Sequence, residues 1–145
     1  MAGSEKIYRA TREISNAFDK KDLKYKLNTT SNSSAVEAGY SGDNVSGVKM
    51  LFISRDDDND VAVRAFNVVR GVSEAKRGEV LKLINSLHAK YRYVRFVLDE
   101  DGCIDVEYDF PVEGGNIGEA SVEIFVRLAK IIDEAYPQFM KTMWA

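Results

Sequence analysis

Residues 97–110, VLDEDGCIDVEYDF, carry six carboxylates in fourteen positions. Three of them, Asp105, Glu107 and Asp109, alternate with apolar residues. On a β-strand with a rise of about 3.4 Å per residue, such neighbours lie about 7 Å apart on one face. Carboxyl groups at that separation can act as a general acid and a general base across a water molecule. One hypothesis is therefore an acid-dependent hydrolase that uses this acidic sheet face.

The same alternation favours a solvated sheet face over an active site. An acid–base pair needs one carboxyl group with a raised pKa, which requires burial or a close like charge. Alternating polar and apolar residues instead predict exposure to water, and Arg95 would favour the ionised carboxylates. We therefore predict no catalytic residues and keep the hydrolase as the alternative function.

The turn between the two strands of this segment decides which side chains share a face. A two-residue turn would place Leu98 opposite Asp105, an apolar residue against a charged one. A three-residue turn over 100–102, with Gly102 in the left-handed conformation, pairs Leu98 with Ile104 instead. The other pairs of this register are Phe96–Val106, Val94–Tyr108, Arg95–Glu107, Val97–Asp105 and Tyr93–Asp109.

A second acidic run, RDDDND at 55–60, has part of the pattern of a calcium-binding loop. Asp56, Asp58 and Asp60 occupy the first, third and fifth positions of such a loop. Val61 stands where the loop needs glycine, and Asn67 stands where it needs a bidentate glutamate. The run is therefore predicted to be a solvated turn between two strands.

The sequence has one cysteine, Cys103, and one histidine, His88. These counts exclude an intramolecular disulfide and a zinc site built from cysteine and histidine. A lone histidine without a partner to orient it is more often a packed or hydrogen-bonded residue than a catalyst. Residues 110–120 also lack the spacing of a phosphate-binding glycine loop. We predict neither a cofactor nor a metal.

Composition narrows the class of protein. The 145 residues include 20 Lys and Arg against 23 Asp and Glu, for a net charge of −3. This length predicts a single domain over 1–145. The basic residues are scattered, so we expect no nucleic acid partner. No segment resembles a signal peptide or approaches the roughly 20 apolar residues of a membrane span, so we expect a cytoplasmic protein without membrane contact.

Hydrophobic periodicity predicts the elements that position these residues. Strands at 48–54 and 61–69 are apolar at odd and even positions, which predicts central strands covered on both faces. Residues 28–47 are predicted to be a flexible loop, in which 35–40 could form a short strand. The other predicted elements are a helix capped at Ser4 with Ile7, Thr11, Ile14 and Phe18 on one face, an edge strand at 23–27, a helix at 73–91, the acidic hairpin and a helix at 118–135.

These elements predict an α+β fold: an antiparallel sheet with flanking helices, in the order α-β-β-β-α-β-β-α. The last helix carries two apolar stripes, and one sheet cannot cover both. A neighbouring helix or another subunit must cover the second stripe. We expect a homodimer, with that stripe or the outer face of the two central strands at its interface. The candidate interface residues are Ile124, Leu128 and Ile131 on the helix and Phe139, Met143 and Trp144 in the tail that follows.

Three segments resemble the YbjN-like family of bacterial sensory transduction regulators. They are VRAFNVV at 63–69, EVLKLINSLHAKYRYVRFVLDEDGCIDVEYDFPV at 79–112 and FVRLAKIIDEAYPQFMKTMW at 125–144. The resemblance covers about residues 48–145. It implies a fold similar to type III secretion chaperones, commonly paired as homodimers, and brings no catalytic residues. The function expected from it is a non-enzymatic protein-binding module, chaperone-like or regulatory, in bacterial signalling or stress response.

Overall fold

A computed structural model describes residues 6–145, so the predicted Ser4 cap lies outside the described residues. The strands form one antiparallel six-stranded sheet in the order β1-β2-β3-β4-β6-β5. This confirms the predicted α+β class. The helices are α1 (Arg9–Lys20), α2 (Arg77–Lys90) and α3 (Ile117–Met143), and the strands are β1 (Lys26–Thr29), β2 (Ser33–Tyr40), β3 (Val48–Arg55), β4 (Asp60–Val69), β5 (Arg95–Leu98) and β6 (Ile104–Pro111).

The segment predicted to be a flexible loop, 28–47, contains β2. This strand pairs with β1 on one side and with β3 along its whole length on the other. The predicted order of elements therefore holds with one strand added before α2. Polar contacts also join β2 to the start of α1, where Ser34 Oγ accepts the Tyr8 N–H at 3.0 Å and donates to Thr11 Oγ1 at 2.8 Å.

All three helices lie on one face of the sheet. The Phe18 ring of α1 lies 5.7 Å from the Phe52 ring, and the Phe139 ring of α3 lies 5.4 Å from the Phe96 ring. Strand register places both of these strand residues on the same face. Leu87 of α2 is buried in the same core. Within residues 6–145, the predicted coverage of β3 and β4 is therefore found on one face only.

Helix α3 continues through Pro137 and lies between α1 and α2. Gly118 permits the close approach to α1, because a Cβ at this position would lie 2.6 Å from the Glu13 carbonyl oxygen. The stripe of α3 formed by Ile124, Leu128 and Ile131 is consequently buried within the chain, whereas Val122 and Val126 of the other stripe stay partly exposed. Five of the six candidate interface residues belong to this core and are not available to a partner: Ile124, Leu128, Ile131, Phe139 and Met143. The sixth, Trp144, is 73% exposed.

Within residues 6–145, each helix is too short or too polar to span a lipid bilayer.

The acidic hairpin adopts the predicted register. Leu98 pairs with Ile104, and the turn between β5 and β6 places Gly102 at a φ of +83°. Asp99 Oδ1 stabilises this turn by accepting the N–H groups of Asp101 and Cys103 at 2.8 and 2.9 Å. The pairing stops at Arg95, so the predicted Val94–Tyr108 and Tyr93–Asp109 pairs do not form. Instead, Tyr93 has a φ of +67°, and its ring makes an edge contact with the Tyr108 ring at 5.8 Å.

The Gly102 turn packs against Val72, and this contact yields a stability prediction. A Cβ at Gly102 would lie 2.5 Å from the Val72 carbonyl oxygen, whereas Gly71, at a similar φ of +81°, has open space around it. We expect Gly102→Ala to lower the free energy of unfolding by about 1–3 kcal/mol more than Gly71→Ala does, because only the first adds a clash to the strain of positive φ. Urea denaturation of both variants measures the difference. Equal losses would contradict the close packing of this turn.

Candidate functional site

The face of the sheet opposite the helices is called the open face. Alternate residues of each strand point to it, as the pairing register requires. Its side chains come from every strand: Lys26 and Asn28 of β1, Ala35 and Glu37 of β2, Lys49, Leu51, Ile53 and Arg55 of β3, Asp60, Ala62, Arg64 and Phe66 of β4, Asp105, Glu107 and Asp109 of β6, and Arg95 and Val97 of β5.

The middle of the open face is apolar. Ala35, Ile53 and Ala62 lie side by side on neighbouring strands, and Leu51 lies next to Ile53 along β3. The two alanines are 5% and 4% exposed, whereas Ile53 and Leu51 are half-buried. No helix covers these four residues, which we call the apolar centre. Leu51 and Ile53 therefore supply most of the apolar area that this part of the open face presents.

Ion pairs flank the apolar centre on both sides. Lys26 Nζ of β1 lies 3.9 Å from the Glu37 carboxylate of β2. On the other side, Glu107 of β6 accepts a hydrogen bond from Arg95 and lies 3.9 Å from Arg64 Nε. The hydrogen bond to Glu107 raises the pKa of the Arg95 guanidinium above its ordinary value. The five charged residues and the central Leu51 form one row across the sheet, in which opposite charges are neighbours.

The three carboxylates considered for a hydrolase are all engaged by donors. Asp109 accepts a hydrogen bond from Arg64 at 2.6 Å, and Glu107 contacts two arginines. Asp105 Oδ1 accepts the backbone N–H of Asn67 at 2.8 Å. A general acid at neutral pH needs a buried carboxyl group that lacks such donors. The arrangement therefore favours the predicted ion-paired sheet face over the hydrolase.

The single histidine has a structural contact. His88 Nε2 accepts the backbone N–H of Phe96 at 2.9 Å, and the two rings stack with centroids 6.1 Å apart. Phe96 lies on β5, which is an edge strand. The hydrogen bond occupies a backbone donor that an edge strand would otherwise present to another chain. The prediction that His88 is a packed or hydrogen-bonded residue is confirmed.

A cleft of about 610 Å³ opens at one end of the sheet, between β3 and β4. Pairing of these strands stops at Met50 and Ala65, although β2 and β3 remain paired to the start of β3. The cause is a bulge in β4 between Ala65 and Val69. Within it, Asn67 adopts a φ of +53° and donates its N–H to Asp105 of β6. The bulge thus draws β4 towards β6 and away from β3.

The 41–47 loop forms one wall of this cleft and attaches to α3 at the proline. Because Pro137 has no N–H, the carbonyl of Asp133 lacks its usual helical donor. Asn44 Nδ2 donates to that carbonyl at 3.0 Å. The Asp133 carboxylate in turn accepts the backbone N–H groups of Asn44 at 2.7 Å and Val45 at 3.1 Å. We call the three hydrogen-bonded residues Asn44, Val45 and Asp133, together with Pro137, the proline anchor.

Tyr40 and Gly42 pack beside the proline anchor. A Cβ at Gly42 would lie 2.5 Å from both the Asp133 carboxylate and the Tyr40 hydroxyl oxygen. Burial raises the pKa of the Tyr40 phenol, and the nearby carboxylates of Asp133 and Asp43 raise it further. Tyr40 is therefore a neutral phenol at neutral pH, so it places no second charge beside Asp133.

A second, larger groove of about 1020 Å³ runs between α1 and α3 on the outer surface of the helix layer. Val122 and Val126 contribute apolar surface to it, and Val126 is 57% exposed. Its charged residues include both signs, with Lys20 and Arg127 as well as Glu13. This mixture specifies no class of ligand.

Comparison with known proteins identifies a family and a solved structure of similar fold. A family model described as "YbjN: Putative bacterial sensory transduction regulator" matches residues 14–140. A solved structure described as "Crystal structure of YbjN, a putative transcription regulator from E. coli" covers 88% of this chain and 91% of its own, with a TM-score of 0.59 and 15% identity. At this identity the structural similarity shows a shared fold alone. No curated protein sequence matches the chain significantly.

The proline anchor makes a prediction that a double-mutant cycle can test. Asn44→Ala keeps the backbone N–H and removes the side-chain donor to the Asp133 carbonyl, together with its longer 3.5 Å contact to the carboxylate, so it should lower the free energy of unfolding by about 1–2 kcal/mol. In a Pro137→Ala background, the new N–H of residue 137 can bond that carbonyl. The same Asn44→Ala change should then cost less than about 0.5 kcal/mol. Urea denaturation of the four proteins gives the coupling, and equal costs in both backgrounds would contradict the anchor.

Proposed function

The chain belongs to the YbjN family, and we propose that it is a non-enzymatic regulator that acts by binding protein through the open face of its sheet. The family description as a sensory transduction regulator supports the regulatory role. The engagement of Asp105, Glu107 and Asp109 by donors supports the absence of catalysis. One observation carries the choice of surface: the helices cover one face of the sheet and leave the apolar centre of the other uncovered.

The open face has the composition of a protein-binding surface. Specific interfaces combine a desolvated apolar core with a polar, charged rim. Here Leu51 and Ile53 supply the larger apolar side chains, and ion pairs on either side supply the rim. Small residues at Ala35 and Ala62 keep the centre flat, so a second flat surface can approach it closely. A packed sheet is the partner that this shape accommodates best.

Charge distribution favours a second copy of the chain as that partner. The half of the open face on β1, β2 and β3 has three cations and one carboxylate, and the half on β4, β5 and β6 has two cations and four carboxylates. The halves therefore differ in sign, at +2 and −2. The residues counted are Lys26, Lys49, Arg55 and Glu37 on the first half and Arg64, Arg95, Asp60, Asp105, Glu107 and Asp109 on the second.

A two-fold axis parallel to the strands would set each positive half against the negative half of the other copy. An axis across the strands would set like charges together. We therefore infer a homodimer in which the two open faces pack with aligned strands, and in which the apolar centres meet near the axis. The proposed interface thus moves from the buried stripe of α3 to the outer face of the central strands.

The homodimer is tested by the mass of the protein in solution. Light scattering should give about twice the chain mass of 16.3 kDa for the unmodified protein. Ile53→Glu places a charge in the apolar centre and should give the monomer mass, since burying an unpaired charge costs several kcal/mol. Leu81→Glu is the matched control, because Leu81 is a 48% exposed apolar residue on α2, away from the sheet. It should leave the dimer intact.

The regulatory role is tested with the same variants. Partner proteins captured from cells on the unmodified protein should be lost with Ile53→Glu and retained with Leu81→Glu, if both variants keep the unmodified circular dichroism spectrum. A monomer mass for the unmodified protein would contradict the proposed homodimer. If Ile53→Glu captures the same partner proteins as the unmodified protein, the open face is not the binding surface.

A further inference from the structure

We propose that the cleft between β3 and β4 binds a small phosphate-bearing ligand with a planar ring, a mononucleotide in chemical class. This goes beyond the proposed function, which concerns protein contact, although Lys49 and Phe66 belong both to the open face and to the cleft. The cleft has a different character: it is concave, cationic and bordered by an exposed aromatic ring.

The charge of the cleft is positive although the protein as a whole is negative. Lys49 and Arg70 both line it and are exposed, and neither forms an ion pair with any residue in 6–145. Two carboxylates close to the walls are already engaged. Asp105 accepts the Asn67 N–H, and Asp133 belongs to the proline anchor. Two cations without an ion-pair partner in residues 6–145 suit a phosphate group, which carries close to two negative charges at neutral pH.

An aromatic ring lies in the same lining. Phe66 is 53% exposed, which is unusual for a large apolar side chain in a strand, and its ring contacts no other aromatic ring in the described chain. The bulge that opens the cleft begins directly after Ala65 and therefore includes this residue. An unoccupied aromatic face can stack on the planar ring of a base, and such stacking is tolerant of which base is bound.

Polar donors complete the lining. Ser46 and the side-chain amide of Asn67 both line the cleft, and neither makes a hydrogen bond within residues 6–145. These groups can bond the hydroxyls and ring nitrogens of a sugar and base. The mixture of cations, one aromatic plate and a few polar groups is that of a small-molecule site.

Size decides between a small ligand and a peptide strand. The cleft volume of about 610 Å³ lies within the range of about 300–1,000 Å³ found for small-molecule sites. At the cleft end, the part of β3 that lacks a β4 partner is only Val48 and Lys49. Two residues are too short for an added strand to gain a ladder of backbone hydrogen bonds. A mononucleotide fits this space and a peptide strand does not.

The test is calorimetric titration with AMP, with adenosine and ribose 5-phosphate as probes that lack the phosphate or the ring. AMP should bind saturably and more tightly than either fragment. Lys49→Gln with Arg70→Gln should weaken AMP binding by roughly tenfold or more, because each change removes a charge-assisted contact. Lys130→Gln with Arg92→Gln is the matched control: it removes the same two charges from exposed residues outside the cleft. It should change the affinity less than about twofold, as expected for screened distant charges.

Phe66→Leu separates the two halves of the site. It keeps apolar volume but removes the aromatic plate, so it should weaken AMP and leave ribose 5-phosphate unchanged. The proposal is overturned if AMP does not bind at millimolar concentration, if the cleft variant and the control variant weaken it equally, or if Phe66→Leu has no effect on AMP. Tighter binding of a single-stranded oligonucleotide than of AMP would overturn the limit on ligand size.

Discussion

Both proposed surfaces depend on the proline anchor between the 41–47 loop and α3. A buried carboxylate is costly unless donors surround it, and a helix carbonyl freed by proline needs a new donor. At Asp133, the backbone N–H groups of Asn44 and Val45 donate to the carboxylate, and the Asn44 side chain donates to the carbonyl. The anchor therefore fixes the connection between β2 and β3 against the helix layer. It places the first residues of β3, which form one side of the cleft, and holds the pair of strands that carries most of the apolar centre.

The helices pack against one another and against one face of the sheet, and this leaves the open face as the surface without a covering layer. Because α3 is long and lies between α1 and α2, most of its apolar surface is covered within one chain, with Val126 as the exposed exception. Within residues 6–145, the open face of the sheet has no such covering layer. Its open face is instead stabilised by cross-strand ion pairs around a small apolar area, a composition that is stable in water and still favours contact with a second surface.

The sequence predicts the elements whose stability is local and misses those that depend on distant residues. The hairpin register is predictable because a one-residue slip would expose its apolar face, so alternation around Gly102 suffices. In contrast, β2 is rich in small residues such as Ala35 and Gly39, which have low strand propensity, and it forms because it has a partner on each side. Likewise, Pro137 predicts a helix end, whereas α3 continues and Asn44 from a distant loop supplies a donor for the freed Asp133 carbonyl. The cleft is missed for the same reason, since its residues come from segments that no motif connects.

The strand order also bears on how the chain folds. Four strands, β1 to β4, form consecutive hairpins, and β5 and β6 form another, so both units contain mainly local contacts. Only the pairing of β4 with β6 joins residues that are far apart in sequence, with all of α2 between them. Pairing with high sequence separation requires the costly closure of a long loop and tends to limit the folding rate. The bulge in β4 lies in this β4–β6 pairing. The cleft therefore takes its final shape only when the two halves of the sheet join.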